Sequence, residues 1–273
     1  MKPGPIGVFD SGYGGLTVLK EFADLLPELD YMYLGDNART PYGTRSFETI
    51  YEYTLESVKY LFDQGCPLII LACNTASAKA LRTIQQRDLP KIDSTKRILG
   101  VIRPTTEIIG NLSTTGHVGI LGTSGTINSQ SYLIEIKKFF PHLSVTQEAC
   151  PMWVPLVENQ EFENEGADFF IKQHIERLIE KDPNIDTLLL ACTHYPLLLK
   201  RIKKFVPTSI KIITQGEYVA RSLQDYLERH PEIANKISKT GNKTFLTTDS
   251  SDDFDTKGSL FFGKEIGSSQ IHY

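Results

Sequence analysis

The regular alternation of short apolar runs with amphipathic stretches constrains the fold of this chain more than any other feature. Runs rich in Val, Ile and Leu predict nine strands, at residues 5–9, 29–34, 68–72, 98–102, 117–121, 143–147, 187–191, 210–213 and 243–247. Between them, segments such as 46–65 repeat apolar residues at helical spacing, and Ser46 and Gly65 are placed to cap the two ends. This alternation predicts an α/β fold with mostly parallel sheets covered by helices on both faces.

A weak internal echo divides the chain into two halves. "IGVFDSGYGG", from Ile6, resembles "VGILGTSGTI", from Val118, and these starts are 112 residues apart. "LIILACNTA" resembles "LLLACTHYP", which pairs Cys73 with Cys192 at a distance of 119 residues. We predict two doubly wound, mostly parallel-sheet domains related by rough pseudo-two-fold symmetry. Because ligands of such sheets bind at the carboxyl ends of the strands, the active site is expected in the cleft between the domains.

Composition excludes several classes of protein. With 273 residues and a net charge of −4, the chain can form two domains and lacks the basic excess of a nucleic-acid-binding surface. No apolar run approaches the ~20 residues of a membrane helix, and the first residues do not resemble a secretory signal. Four cysteines without a CxxC pair indicate free thiols in a reducing compartment, and their spacing does not match a zinc site. We therefore expect a cytoplasmic protein with no metal, membrane or nucleic-acid partner.

Two of the cysteines stand where a predicted strand ends and polar residues follow. A cysteine in the position of Cys73 or Cys192 is most often a small buried apolar group. Two in matching positions favour a paired reactive site, and His194 is available to Cys192 as a cation or proton partner. Cys66 and Cys150 each precede a proline without such neighbours, and we interpret them as packing residues.

Two further segments can contact a small anion, although each has a plainer interpretation. Asp10 and Ser11 precede a glycine-rich turn whose backbone N–H groups can approach a phosphate or carboxylate, or simply begin a helix. The loop 36–43 can present Tyr42 and Gly43 to a ligand, or can be an ordinary surface loop.

The turn "GTSGT" and the segment "PLVE" leave similar alternatives open. Thr123, Ser124 and Thr126 can bind a carboxylate or cap a helix. Glu158 follows an apolar segment broken by proline, where a carboxylate is more often at the surface than in a site.

A cleft with one thiol on each side suits some reactions better than others. An acyl-transfer hydrolase needs one nucleophile, a base and an oxyanion hole, and has no use for a second cysteine. A dithiol redox enzyme needs two close sulfurs, usually in a CxxC motif. A two-base racemase needs acid–base groups on opposite faces of one stereocentre, so that a thiolate removes the α-proton and a thiol returns a proton to the other face.

The motifs "FDSGYGGLTVL", "LGDNARTPYG", "LACNTASA", "GTSGTI", "PLVE" and "LACTHYP" together resemble the glutamate racemases of the aspartate/glutamate racemase superfamily. The resemblance extends from Ile6 to about Gly263. It implies interconversion of L- and D-glutamate without a cofactor, supplying D-glutamate for peptidoglycan. The alternatives are racemisation of another amino acid such as aspartate, or a binding or regulatory protein that keeps a racemase-like cleft.

The resemblance also implies roles for individual residues. Cys73 matches the base that acts on D-glutamate, Cys192 the base that acts on L-glutamate, and Asp10 and His194 match assisting acid–base residues. The matched substrate contacts are Asp10, Ser11, Tyr42, Gly43, Asn74, Thr75, Thr123, Thr126, Glu158, Thr193 and His194.

The family's architecture implies domain ranges for this chain. One domain is expected to comprise residues 1–97 and 210–263, the other residues 98–209, and residues 264–273 are expected to form a poorly ordered extension. Enzymes of this family are often dimers, so we expect a homodimer. Thr214 and Gln215 stand where many relatives have an Ile-Asp pair, which affects a helix cap or a ligand contact there.

Overall fold

Ten strands form the framework of the computed structural model, which describes residues 2–273; Met1, where the first predicted domain range begins, lies outside them. The strands are β1 (Ile6–Asp10), β2 (Tyr31–Gly35), β3 (Leu68–Leu71), β4 (Arg97–Gly100), β5 (His117–Gly122), β6 (Ser144–Ala149), β7 (Thr187–Ala191), β8 (Lys211–Ile213), β9 (Lys243–Thr247) and β10 (Ser268–Gln270). All nine predicted strands are confirmed, and β10 is additional.

The strands form two fully parallel sheets, so the predicted α/β class is confirmed. The first sheet has the order β10-β9-β2-β1-β3-β4 and the second the order β6-β5-β7-β8. The order of four neighbouring strands in the first sheet, β2-β1-β3-β4, therefore matches the order β6-β5-β7-β8 in the second sheet. The sequence echo follows this correspondence, since it pairs β1 with β5 and β3 with β7. The central strands β1, β3 and β7 are buried along their whole length, as expected for sheets covered on both faces.

Fourteen α-helices pack around the sheets in the described range. They are α1 (Leu16–Leu25), α2 (Phe47–Asp63), α3 (Asn74–Lys79), α4 (Leu81–Thr83), α5 (Leu89–Ile92), α6 (Ile102–Thr106), α7 (Ser124–Asn128), α8 (Ser131–Phe139), α9 (Trp153–Glu158), α10 (Glu165–Lys181), α11 (Leu199–Phe205), α12 (Gly216–Arg229), α13 (Pro231–Ala234) and α14 (Ser251–Phe262). Short 3₁₀ turns and one π-helical turn, Ile84–Asp88, link some of them. Within residues 2–273, none of the helices combines the length and apolar character needed to span a bilayer.

Helix α2 shows how local sequence sets an element. The Ser46 hydroxyl accepts a hydrogen bond from the backbone N–H of Thr49 at 3.2 Å, which satisfies one of the donors left free in the first turn. The chain leaves the helix through Gly65, whose φ of +89° lies in the left-handed region that glycine tolerates best. Both predicted caps are confirmed. The face bearing Ile50 and Leu61 is fully buried against the first sheet.

Strand pairing shows where the chain passes between the sheets. Residues 97–100 form β4 of the first sheet, and 211–213 form β8 of the second. The chain therefore crosses after Gly100 and returns after Ile213, a few residues later in each case than the predicted domain boundaries at 97/98 and 209/210. After the return, α12 packs against α1 and belongs with the first sheet. The division into domains stays a prediction, with these crossings as its refined limits.

The last ten residues are part of the fold, so the prediction of a poorly ordered extension is wrong. Ser268–Gln270 pair in parallel with β9 as an edge strand. Beyond them, the Tyr273 hydroxyl lies 2.6 Å from Ser57 Oγ on α2. The segment is too polar to be recognised as a strand in isolation, and it is held by backbone pairing rather than by burial.

Candidate active site

The carboxyl ends of four strands meet around one cavity of about 70 Å³. In the first sheet, Asp10 ends β1 and Cys73 follows the neighbouring β3. In the second, Thr123 follows β5 and Cys192 follows the neighbouring β7. A cavity of this size has room for several water molecules or a small ligand. The matching strand order of the two sheets thus brings the two Ala-Cys segments to one place.

Most of the residues predicted for the site line this cavity. They are Ser11, Tyr42, Gly43, Cys73, Asn74, Thr75, Thr123, Cys192, Thr193 and His194. The other three do not line the cavity, but each forms a hydrogen bond with a residue that does. They are Asp10, bonded to Thr193, Thr126, bonded to Thr123, and Glu158, bonded to His194. They support lining residues, and their direct contact with a substrate stays a prediction.

Sequence reasoning misses six lining residues: Thr40, Pro41, Thr44, Pro151, Val154 and Pro155. The first two lie in the loop 36–43, which the sequence analysis already identifies as a candidate. Pro151 and Pro155 enclose the apolar segment before Glu158, and proline fixes the backbone there in a way that suits the wall of a site. Apolar wall residues carry no chemical signature, so their role emerges only from the fold.

Cys73 is held at the start of α3. Its sulfur accepts a hydrogen bond from the backbone N–H of Ala76 at 3.5 Å and lies 3.6 Å from Ser11 Oγ, to which the thiol donates. The side chain is 5% exposed. Burial, followed by the negative charge of Asp10, raises the pKa of the Cys73 thiol to about 12. In this state Cys73 is a thiol at neutral pH, which is the form that can donate a proton.

Cys192 has different partners. Its sulfur lies 3.9 Å from Nδ1 of His194, and Nε2 of the same ring lies 3.1 Å from Oε1 of Glu158. Burial alone lowers the pKa of His194, but the hydrogen bonds with Cys192 and Glu158 outweigh it and raise the pKa to about 10. His194 is therefore an imidazolium at neutral pH, a cation placed next to the sulfur.

The Asp10 side chain is fully buried, close to the residues that surround both thiols. One carboxylate oxygen accepts from the backbone N–H of Gly12 at 3.2 Å and the other from the Thr193 hydroxyl at 3.4 Å. Burial raises its pKa to about 6, although His194 and the backbone donors oppose this. The glycine-rich turn, for which an external anion and a plain helix start are the alternatives, thus directs the Gly12 N–H at the carboxylate of the chain's own Asp10.

The glycines of "FDSGYGG" permit close approach between the two halves. A Cβ added at Gly14 would lie 2.3 Å from Thr193 Oγ1 and 2.5 Å from His194 Nδ1. Only glycine allows this contact without displacement of the Cys192 segment. The Thr17 hydroxyl then bonds the Thr193 carbonyl oxygen at 3.0 Å, so α1 fixes the segment that carries the second thiol.

A cluster of threonine hydroxyl groups joins α3 to the start of α7 at the cavity. Thr75 Oγ1 lies 3.0 Å from Thr123 Oγ1, and Thr123 caps α7 by accepting from the Thr126 N–H at 3.2 Å. The carbonyl oxygen of Gly43 accepts from the Gly125 N–H at 2.7 Å. The capping alternative for the "GTSGT" turn is therefore confirmed for Thr123, and carboxylate binding by this residue, which lines the cavity, stays a prediction.

The Tyr42 side chain is a wall of the cavity rather than a donor to it. Its hydroxyl donates to the buried Asp36 carboxylate, which also accepts from Arg39 Nε at 2.7 Å. The loop 36–43 is thereby anchored from behind. Gly43, at its end, and the following Thr44 line the cavity.

The arrangement as a whole can move protons and hold a small anionic molecule. It offers two thiols with unequal partners, one cation paired with one carboxylate, and several hydroxyl and amide groups. Within the described residues, no group of three or more His, Cys, Asp and Glu side chains is placed to hold a metal ion. Acid–base chemistry by the side chains themselves is what this donor set supports.

Comparison with known proteins relates the whole chain to enzymes of one type. The family model described as Asp/Glu/Hydantoin racemase matches residues 6–223. A glutamate racemase of Geobacter metallireducens is 39% identical over 263 residues, which are 96% of this chain and 94% of that protein. Among solved structures, a glutamate racemase isoform from Bacillus anthracis has a TM-score of 0.90 at 33% identity and covers 100% of this chain and 98% of its own. A glutamate racemase from Francisella tularensis, crystallised with D-glutamate, has a TM-score of 0.88 at 32% identity with the same coverage.

Proposed function

Because the chain belongs to the Asp/Glu/Hydantoin racemase family, we propose that it interconverts L- and D-glutamate by a two-thiol mechanism. Family membership makes it an amino-acid racemase, an isomerase. Glutamate as the substrate is supported by the names of the relatives that match over nearly the full chain. The mechanism is supported by one observation above all, namely that Cys73 and Cys192 both line one cavity from different sheets.

In the direction from L- to D-glutamate, the thiolate of Cys192 removes the α-proton. The C–H bond breaks, an S–H bond forms, and the electron pair remains on the substrate carbon. The thiol of Cys73 then donates its proton to the opposite face, which leaves Cys73 as the thiolate. The reverse direction exchanges the two roles, as the resemblance implies for D-glutamate. Each turnover moves a proton from one cysteine to the other, so the two thiols must exchange protons with their neighbours before the next turnover.

The neighbours described above suit this exchange. His194, an imidazolium stabilised by Glu158, can return a proton to Cys192 after Cys192 has protonated the substrate. Asp10, whose pKa is about 6, can accept a proton from Cys73 or return one to it. The developing carbanion is difficult to form, and hydrogen bonds from Ser11 and Thr75, which line the cavity, would stabilise the substrate carboxylates.

A test uses cysteine-to-serine variants at buried positions. Cys73→Ser and Cys192→Ser should each slow racemisation by roughly 10²–10⁴-fold, the contribution typical of a positioned acid–base group. Circular dichroism follows racemisation, and NMR in D₂O follows α-hydrogen exchange from each enantiomer. Cys66→Ser, the same change at a fully buried position away from the cavity, should retain activity. A Cys73 or Cys192 variant as fast as wild type would show the two-thiol assignment to be wrong.

A panel of substrates separates glutamate from the alternatives. Glutamate should be racemised faster than aspartate or a hydantoin. Turnover of aspartate but not glutamate would establish a different substrate. Tight binding of glutamate without turnover would favour the binding or regulatory alternative.

The cellular role belongs to the same proposal. D-glutamate made by this reaction would supply peptidoglycan synthesis, as the resemblance implies. The cytoplasmic location and the homodimer stay predictions.

A further inference from the structure

Gln215 occupies the point where the chain returns from the second sheet to the first. It follows β8 and directly precedes α12, and its side chain is 5% exposed. The resemblance implies that the departure from many relatives at Thr214 and Gln215 affects a helix cap or a ligand contact. Gln215 is the N-cap residue of α12 and its side chain makes no cap hydrogen bond to that helix, which agrees with an altered cap.

The Gln215 amide instead bonds groups from three other elements. Its Nε2 has two N–H groups: one donates to the Tyr132 hydroxyl at 2.7 Å, and the other is shared between the Val101 carbonyl oxygen at 3.2 Å and Thr105 Oγ1 at 3.3 Å. Its Oε1 accepts from Asn74 Nδ2 at 2.8 Å. Val101 follows β4 on the other segment that crosses between the sheets. Gln215 thus ties the two crossing segments together.

Three of these groups form a closed ring. Gln215 donates to Tyr132, Tyr132 donates to Asn74 Oδ1 at 2.6 Å, and Asn74 donates back to Gln215. Each of the three side chains donates once and accepts once within the ring, so the orientation of both amides is fixed by their partners. Asn74 is 2% exposed and Tyr132 is fully buried, and buried hydrogen bonds of this kind are strengthened by their low-dielectric surroundings.

Asn74 is the member of the ring that reaches the cavity. It follows Cys73 directly and is the first residue of α3, whose start Cys73 caps. Asn74 lines the cavity, while Gln215 and Tyr132 do not. One N–H of its amide donates to Gln215, and no other described residue accepts from the second N–H, so that donor is available to a ligand. The orientation of that donor depends on Gln215.

We propose that Gln215 is a positioning residue for substrate binding, which holds the Asn74 amide toward the cavity and links it to both crossing segments. This inference rests on the proposed function, because Asn74 is taken to contact the substrate. Gln215 does not touch the reacting atoms, so its loss should affect binding more than the proton transfers at the thiols. The ring also joins α3 of the first sheet to α8 of the second, so it is complete only when both halves are in their observed positions.

The test replaces the amide by a side chain of similar size without hydrogen bonds. Gln215→Met should raise KM for both glutamate enantiomers roughly tenfold, the effect of one lost buried hydrogen bond. The kcat values should change less than about threefold. Calorimetric binding of D-glutamate, which needs no turnover, should weaken by the same factor.

Two further variants make the test specific. Tyr132→Phe removes one oxygen from the ring and should raise KM similarly, and the double variant should be little worse than either single variant. Gln85→Met is the matched control, because Gln85 donates to the Ile98 carbonyl oxygen at 2.7 Å and has no contact with the ring. It should leave KM unchanged. If Gln215→Met fails to fold, Tyr132→Phe carries the test.

Other results would overturn the proposal. Unchanged KM and affinity in Gln215→Met or Tyr132→Phe, with only a lower melting temperature, would reduce the ring to a structural feature. An equal rise in KM for Gln85→Met would show a non-specific effect. Failure of the proposed function looks different, since wild type would then bind D-glutamate or turn over another amino acid without racemising glutamate.

Discussion

Cys73 and Cys192 occupy matching strand ends but differ in the groups that contact their sulfurs. Cys73 is bonded to Ser11 and to a helix N–H, and Cys192 lies beside the His194–Glu158 pair. The sequence identifies both cysteines, because the same Ala-Cys pattern ends two apolar runs. It does not reveal that Asp10 and Glu158 act from behind the lining, since depth behind a surface depends on packing that a local pattern does not encode.

The pKa of Asp10 leads to a prediction for the pH dependence of the reaction. If Asp10 must be ionised to accept a proton, kcat/KM should fall about tenfold per pH unit below about 6. Asp10→Asn should be slower by about 10²-fold and should lose this acidic limb. A pH–rate profile of kcat/KM checks this.

Asp30→Asn is the control for Asp10→Asn, since Asp30 is also a buried carboxylate but its hydrogen bonds lower its pKa despite burial. It should keep the acidic limb of the wild type. Persistence of the limb in Asp10→Asn would contradict the assignment. The raised pKa of Asp10 also affects the free energy of unfolding. Because the folded protein binds this proton more tightly than the unfolded chain, protonation of Asp10 stabilises the fold. That stabilisation is fully present below pH 3.8 and is lost as pH rises through about 6.

At the scale of elements, the last residues of the sequence support the loop 36–43 from the outside. The Tyr273 ring lies 4.5 Å from the Arg39 guanidinium, which also stacks on Tyr53 at 4.2 Å. Arg39 in turn bonds Asp36, which accepts from Tyr42 in the wall of the cavity. A chain of contacts thus connects the edge of the first sheet to the loop 36–43, which lines the cavity.

Replacement of Tyr273 should therefore change substrate binding. Tyr273→Ala removes a cation–π contact worth about 1 kcal/mol, and it should raise KM for glutamate by about threefold to tenfold while kcat changes little. Tyr273→Phe keeps the ring over Arg39 and should behave like wild type. Steady-state kinetics in both directions measure these changes. Equal effects of Ala and Phe would show that the ring does not act through Arg39.

The elements differ in how far sequence predicts them. β1, β3 and β7 are recognisable because strands buried on both faces need continuous apolar runs. α2 is recognisable because Ser46 and Gly65 mark its ends. β10 has the sequence "SSQ" and is formed only because β9 offers an unpaired edge. The pairing partners of β4 and β8 could not be predicted either, since strand order depends on contacts between distant parts of the chain.

At the scale of the whole molecule, the cavity is shared between two sheets, and ligand binding should stabilise both. At a concentration 100-fold above its Kd, D-glutamate should raise the free energy of unfolding by about 2.7 kcal/mol. Hydrogen exchange should then slow in β3 of the first sheet and in β7 of the second. Mass spectrometry after exchange measures this, with D-glutamine as a ligand of equal length and lower charge for control. Protection confined to one sheet would contradict a shared site.

The unequal partners of the two cysteines bear on the direction in which such an enzyme operates. Mirror-image amino acids have equal free energies in water, so a racemase must have the same kcat/KM for both enantiomers. The different neighbours of the two cysteines, the His194–Glu158 pair and Ser11, can therefore make kcat and KM differ between the enantiomers. They cannot make the ratio kcat/KM differ. One enantiomer will saturate the enzyme at a lower concentration than the other. The direction of net conversion is then set outside the protein, by whichever enantiomer the cell removes.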